Sequence, residues 1–433
     1  MKRSFALLLG LLSIVALTGC PRSRPARLAN NAGNQEAPAK EVKPDDEAAL
    51  ATLTDAGFTL DKKGGDVVTA VTGALKEESA EIIGAIGKLP NVEEITLSGA
   101  GVTGSNFAAF EGLENLKRLN VTGSGLTDEA MSNVGKLKNL ERFLARMTGL
   151  TDAGIAALKN LANLRVIDLR NGNTKDEGLA HLSGLPKLVD LQLERTNVTP
   201  AGLEQLTSLP LKSINLNLNA IYDRGLTTLG KISTLEGIQF DSGKVTDDGM
   251  PALANLKKLK TLRMRDNDVT GVGFQHIAEL NELRRLELRG TSLDDEALEV
   301  ISNLPNVEHL DISECRIASP EGIAKLAKLT KLKTLGLWET KLNDEALNAL
   351  ASLKELVSLN LEATNITDES ADTLAGFTKL TTLNVSGTQI GDDGLRKVGT
   401  LPSLKLLKLV NTGASYDIIS ELGDKDGLEV EDF

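Results

Sequence analysis

Two sets of arginines offer the most directed chemistry in this chain. Arg118, Arg142, Arg146 and Arg170 form the first set; Arg263, Arg265, Arg285 and Arg289, with His309 beside them, form the second. Trp338, the single tryptophan, follows them. Clustered guanidinium groups grip carboxylates or phosphates bidentately. Arg and Trp are also the types enriched where protein interfaces concentrate their binding energy. Asp190, Glu194 and Asp241 lie between the two sets, and Glu287 stands between Arg285 and Arg289, where it offsets part of their charge. The pattern suits recognition of an acidic protein partner. The alternative is a set of polar surface positions whose charges carry no role.

Catalytic constellations are missing from the sequence. His181, His276 and His309 are far apart, and no H-x-x-x-H, C-x-x-C, G-x-S-x-G or phosphate-binding loop occurs. Asp266-Asn267-Asp268 has the acidity of a calcium site but not the glycine and terminal glutamate of an EF-hand loop. We therefore expect no enzyme activity, no cofactor, no metal and no small-molecule substrate. The chain is acidic, with a formal net charge of −12, and only 3% aromatic. That composition argues against nucleic acid as a partner.

The elements that must position these side chains are written as a repeat. Residues 283–304 read LRRLELRGTSLDDEALEVISNL, residues 380–401 LTTLNVSGTQIGDDGLRKVGTL, and residues 116–137 LKRLNVTGSGLTDEAMSNVGKL. The shared frame is L-x-x-L-x-L-x-x-T-x-L-x-D-x-x-L-x-x-L-x-x-L. Its first position recurs at Val92, Leu116, Leu140, Leu164, Leu188, Leu211, Leu235, Leu259, Leu283, Val307, Leu332, Leu356, Leu380 and Leu404. The spacing is 24 except for one step of 23, at Leu211, and one of 25, at Leu332. L-x-x-L-x-L ends in the period-two alternation of a short strand. Apolar residues three apart, such as Leu298, Ile301 and Leu304, follow in a short helix. Thr and Asp ahead of that helix are expected to cap its first turn. Neither half buries its apolar face alone, so the coils must stack. Positions three, five and seven of the frame then point away from the core, and both arginine sets and Trp338 fall on them.

This frame resembles leucine-rich repeats, of the ribonuclease-inhibitor-like or cysteine-containing type with T-D-x-G-L signatures. The resemblance implies an α/β solenoid: a curved right-handed coil with parallel strands on the concave face and short helices on the convex face. It also implies that the residue three after the last strand leucine (Ser124, Thr148, Thr196, Asn219, Asn267, Thr291, Cys315, Thr340 and their equivalents) satisfies loop backbone groups. Cys315 is then a structural residue. The same repeats occur in F-box substrate adaptors, but residues 46–67 are too short for an F-box segment.

The first residues supply the location. Lys2 and Arg3 precede an apolar run from Phe5 to Leu17, which ends in Leu17-Thr18-Gly19-Cys20. This is the layout of a secretory signal, and the run is short for a membrane span. L-T-G-C resembles the bacterial lipobox, which implies acylation of Cys20. Residues 21–46 are rich in Pro, Ala, Asn and charge, and carry too little apolar surface to fold. Arg22, Arg24 and Arg27 lie close enough to the acyl chains to meet anionic head groups. We divide the chain into a lipoprotein signal (1–19), a flexible tether (20–45), a leading cap with an irregular first coil (46–91), repeats (92–412) and a trailing cap (413–433). The expectation is a lipid-anchored protein of the cell envelope, on the outer membrane or the periplasmic face, that binds a protein. A polymer- or carbohydrate-binding envelope component is the second class, weakened by the scarcity of aromatic rings.

Overall fold

The structure, a computed structural model, describes residues 42–432. Cys20, the apolar run before it and Arg22, Arg24 and Arg27 lie outside the described residues.

The described chain opens with the helix Glu47–Asp55, whose first turn is capped by Asp46 accepting from the Ala49 N–H at 2.8 Å. A strand at Thr59–Asp61 then pairs antiparallel with Ala70–Ala74. The segments GFTL (57–60) and DVVTAV (66–71) read as strands from their residue types, a few residues ahead of the strands observed. The second begins later because Val68 is fully buried and its N–H donates to Asp45 Oδ2 at 2.6 Å, which holds the preceding residues in the turn. Its pairing instead follows Glu94–Ser98, matching Val71 to Ile95 and Ala74 to Ser98.

From Ala70–Ala74 onward every strand pairs in parallel with the next, ending at Glu429–Glu431. Most strands are three residues long, and one central apolar residue carries the register. Leu262 faces Leu286, Leu286 faces Leu310, and Leu310 faces Leu335 across the step of 25. Leu191 likewise faces Ile214 across the step of 23. Both irregular steps are thus absorbed outside the strands. The frame leucines form one continuous core between the strand layer and a layer of short α- and 3-10 helices. The tight 3-10 geometry, as in Asp247–Asn255, fits the few residues left for each return leg.

Stacking is secured by two side-chain ladders. The inner one is the column after the strands. Thr148, Thr196, Thr291, Thr340, Thr364, Thr388 and Thr412 each donate a hydroxyl to the carbonyl three residues back, at 2.6–2.9 Å. Asn219 and Asn267 also cross to the preceding coil, donating to the Leu193 and Phe240 carbonyls at 2.8 and 3.1 Å. Cys315 does the same with its thiol, at 3.4 Å from the Leu288 carbonyl.

The outer ladder corrects the capping expectation for the aspartate that opens a helix, whereas Asp294, at the cap position, does cap its own helix. Thr151, Thr199, Thr246, Thr270 and Thr367 do cap their own helices. An aspartate at the start of a helix reaches forward one coil instead. Asp176 accepts the Thr199 N–H at 2.7 Å and its hydroxyl at 2.5 Å. Asp247 accepts the Thr270 N–H and hydroxyl at 2.8 and 2.6 Å and the Gly273 N–H at 3.0 Å. Asp128, Asp223, Asp295, Asp344 and Asp392 repeat the arrangement. This explains the glycine of T-D-x-G-L: a Cβ on Gly273 would stand 2.4 Å from Asp247 Oδ1, and one on Gly202 2.3 Å from Asp176 Oδ1.

A further column sits eighth in every frame and was not anticipated. Fourteen residues, from Gly99 through Met147, Leu218 and Glu314 to Asn411, all have φ between 51° and 92°. Each turns the chain off the strand, and the main-chain bond of that residue offsets the left-handed strain: Met147 N–H donates to the Arg170 carbonyl at 3.1 Å and Glu314 N–H to the Trp338 carbonyl at 2.7 Å. Ten of the fourteen carry a side chain, so glycine counting does not reveal the column.

Candidate functional site

The strands put both arginine sets on the concave face, and their carboxylate neighbours separate them. In the second set Arg263 clasps Asp241, with Nη2 at 2.5 Å and Nε at 2.6 Å from Oδ2. Arg265 reaches Glu287 at 2.7 Å and Asp311 at 3.4 Å. Arg285 meets the other Glu287 oxygen at 3.3 Å, and Arg289 meets Glu314 at 3.3 Å. Four guanidinium groups thus face four carboxylates. The offset that Glu287 suggested in the sequence is more extensive than expected, because Asp241, Asp311 and Glu314 come from coils on either side.

His309 sits at the edge of this network, with Nδ1 3.1 Å from the Thr334 hydroxyl. Burial holds its pKa below the usual histidine value, and the Arg285 charge adds to that. His181 and His276 lie on the helix side, in Asp176–Leu182 and Gln275–Ile277. Among the described residues no group of histidine, cysteine and carboxylate side chains could hold a metal ion. The Cys315 thiol is buried and its pKa is pushed up to about 11 by that burial, so it is a protonated member of the inner ladder.

Trp338 is half-buried, and the Arg289 guanidinium lies 5.2 Å from its ring centroid. The ring stands between two grooves. One, of about 330 Å³, runs over Arg285, His309 and Gly336; the other, of about 710 Å³, runs over Asn360, Asn384 and Lys408. Gly336, in the lining of the first groove, leaves room for Asp311, whose Oδ1 would stand 2.6 Å from a Cβ there.

The first set is less balanced. Arg170 holds Asp168 bidentately, Nε to Oδ1 at 2.9 Å and Nη2 to Oδ2 at 2.8 Å, and this hydrogen bond raises the arginine pKa further. Arg146 shares the same carboxylate at 3.7 Å. Arg118 and Arg142 face one another in register on adjacent strands. Neither makes an ion pair among the described residues. Sequence reasoning missed the floor between these arginines: Leu144 and Val166, at outward positions five and three, are apolar where the frame is elsewhere mostly polar. Their type at those positions was the available signal.

Comparison with known proteins gives the same fold. The family described as "Leucine-rich repeat region" matches residues 146–345 and 244–392, together more than half of the chain. An internalin of Listeria monocytogenes is similar in structure, with 24% identity and a TM-score of 0.56 over 87% of this chain and 96% of that one. A leucine-rich-repeat protein of Leptospira interrogans is similar at 19% identity and a TM-score of 0.53, over 82% of this chain and 93% of its own. No curated protein matches the sequence. Among the described residues no helix is long and apolar enough to cross a membrane. With the frame, the paired strands and the family match together, this chain belongs to the leucine-rich-repeat family.

Proposed function

We propose that this protein is a non-catalytic recognition surface: a lipid-anchored component of the bacterial envelope that binds another protein on its concave face. The single observation that carries the reading is the placement of Trp338. A half-buried tryptophan under an arginine, between two adjoining grooves, is a large and directional contact that the fold itself does not need. Arg263, Arg265, Arg285, Arg289 and His309 extend the surface on one side of the ring. Arg118, Arg142, Arg146 and Arg170 form its outlying part.

The anchoring half of the proposal rests on Leu17-Thr18-Gly19-Cys20 and the apolar run before it. Two acyl chains on Cys20 would give stable attachment, at about 0.8 kcal/mol per buried methylene. Residues 21–45 would then hold the solenoid away from the bilayer.

Cross-linked capture from the envelope of the source cell tests this. The bait is the full chain, compared with the same chain carrying Arg265→Glu, Arg289→Glu and Trp338→Ala. A protein held by the first and lost by the second supports the assignment. Equal capture by both, or none by either, contradicts it.

A further inference from the structure

The first arginine set has features that the needs of the fold do not explain. Arg118 and Arg142 lie directly opposite each other on neighbouring strands, an arrangement that costs stability for like charges. The carboxylate in register with Arg118 is Glu94, and Lys63 from the leading hairpin takes it at 2.7 Å. Arg118 Nε and Thr122 Oγ1 are buried, and neither has a hydrogen-bond partner among the described residues. Beside them Leu144 and Val166 floor a groove of about 300 Å³. Its far end is closed by Arg146 and Arg170 on Asp168, with Arg170 also 4.0 Å from Glu194, so that the two guanidinium groups there are met by carboxylates. The groove thus has one positive end, at Arg118 and Arg142, an apolar patch in its floor, and a second end where arginines are balanced by carboxylates.

We infer that this groove binds an extended acidic segment of a partner protein, with a Glu or Asp carboxylate between Arg118 and Arg142 and an apolar side chain over Leu144 and Val166. One carboxylate with two oxygens would accept from both guanidinium groups and remove their mutual repulsion. Leu144, the partly exposed apolar residue of the floor, selects a peptide over a bare anion, because its burial contributes only when an adjacent side chain covers it; Val166 beside it is already buried. The inference rests on the reading of the concave face as a protein-recognition surface. It adds the chemistry of the partner and a location some distance along the coil from Trp338.

An array of capped hexapeptides tests it. The peptides combine Glu, Gln, Ser, phosphoserine and Leu, and the probe is the labelled full chain. Capture is expected on peptides with Glu next to Leu, to fall on the Gln counterparts, and to weaken by about tenfold or more in Arg118→Gln/Arg142→Gln. Lys159→Gln, on the helix side, should capture as the parent does. Three results overturn the inference: capture that ignores Glu against Gln, capture unchanged by the double variant, or preference for phosphoserine with displacement by millimolar inorganic phosphate. No capture on any peptide also overturns it. The envelope experiment separates this from the broader reading. A protein captured there equally by Arg118→Gln/Arg142→Gln would leave recognition at Trp338 standing and the acidic groove refuted.

Discussion

Asp247→Ala removes one rung of the outer ladder and measures what that ladder contributes. Its carboxylate accepts the Thr270 N–H, the Thr270 hydroxyl and the Gly273 N–H, all from the next coil. A hydrogen bond to a charged group contributes about 1.5–3 kcal/mol. The site is only partly buried, so water replaces some of each bond, and the three together should be worth about 3 kcal/mol rather than their full sum. The neighbouring Asp248 is a matched control: it is exposed, and its side chain makes no hydrogen bond among the described residues. Its place in the first helical turn is worth about 0.5 kcal/mol. Long repeat arrays depart from two-state unfolding, so the better assay is amide hydrogen exchange at Thr270 and Gly273. In Asp247→Ala these amides should exchange about a hundredfold faster, since each 1.4 kcal/mol is a factor of ten. In Asp248→Ala they should change by less than about threefold. Equal exchange in the two variants would refute the ladder as a stabilising device and return Asp247 to a simple surface acid.

Other outcomes follow from the same structure. Leu286→Asp places a charge where the side chain is fully buried between Leu262 and Leu310, and should cost about 4 kcal/mol or more, seen as loss of the cooperative melt by circular dichroism. Cys20→Ser should move the protein from the membrane to the soluble fraction; fractionation and blotting read it directly. In that variant iodoacetamide should leave Cys315 unlabelled until denaturant is added, because burial keeps the thiol protonated. Hydrogen bonds from Lys212 and then Lys260 lower the Glu236 carboxyl to about 2, and Lys328 and Lys325 do the same for Glu299. Folded pKa values below the ordinary 4.5 mean that the unfolded chain takes up protons first. Melting temperature should therefore hold above about pH 5 and fall between about pH 4.5 and 2, less steeply in Glu236→Gln.

Much of this fold is legible in the sequence because its core repeats. Every leucine of the frame is placed by a period, and a period survives substitution at single positions such as Val92, Val307 or Phe143. The inner ladder is legible for the same reason: one column of Thr, Asn and Cys has one job. The outer ladder is less so. Aspartate before a helix has a local use as a cap, and only the spacing between coils shows that Asp247 spends its oxygens on Thr270. The left-handed column is hidden because backbone bonds between coils, not residue type, hold Met147 and Glu314 in it.

The candidate site is legible in position and not in charge. Alternation along each strand puts Arg265 or Arg142 on the concave face. Whether such an arginine is free depends on side chains 22 to 46 residues away, such as Glu287 and Asp311 for Arg265. The sequence weights the second arginine set over the first, since it is denser and lies near Trp338. The structure shows that set matched by four carboxylates, whereas Arg118 and Arg142 make no ion pair among the described residues and the nearby Glu94 pairs with Lys63.

The central claim is that the concave face is the surface this protein uses. Photocross-linking in the native envelope tests it most directly, with a benzophenone side chain placed at position 338, 142 or 159 of the full chain. Trp338 and Arg142 lie on the strand face; Lys159 is exposed on the helix side. The account predicts a discrete protein adduct from 338, from 142 or from both, and none from 159. An adduct from 159 alone would place recognition on the convex face and contradict the account.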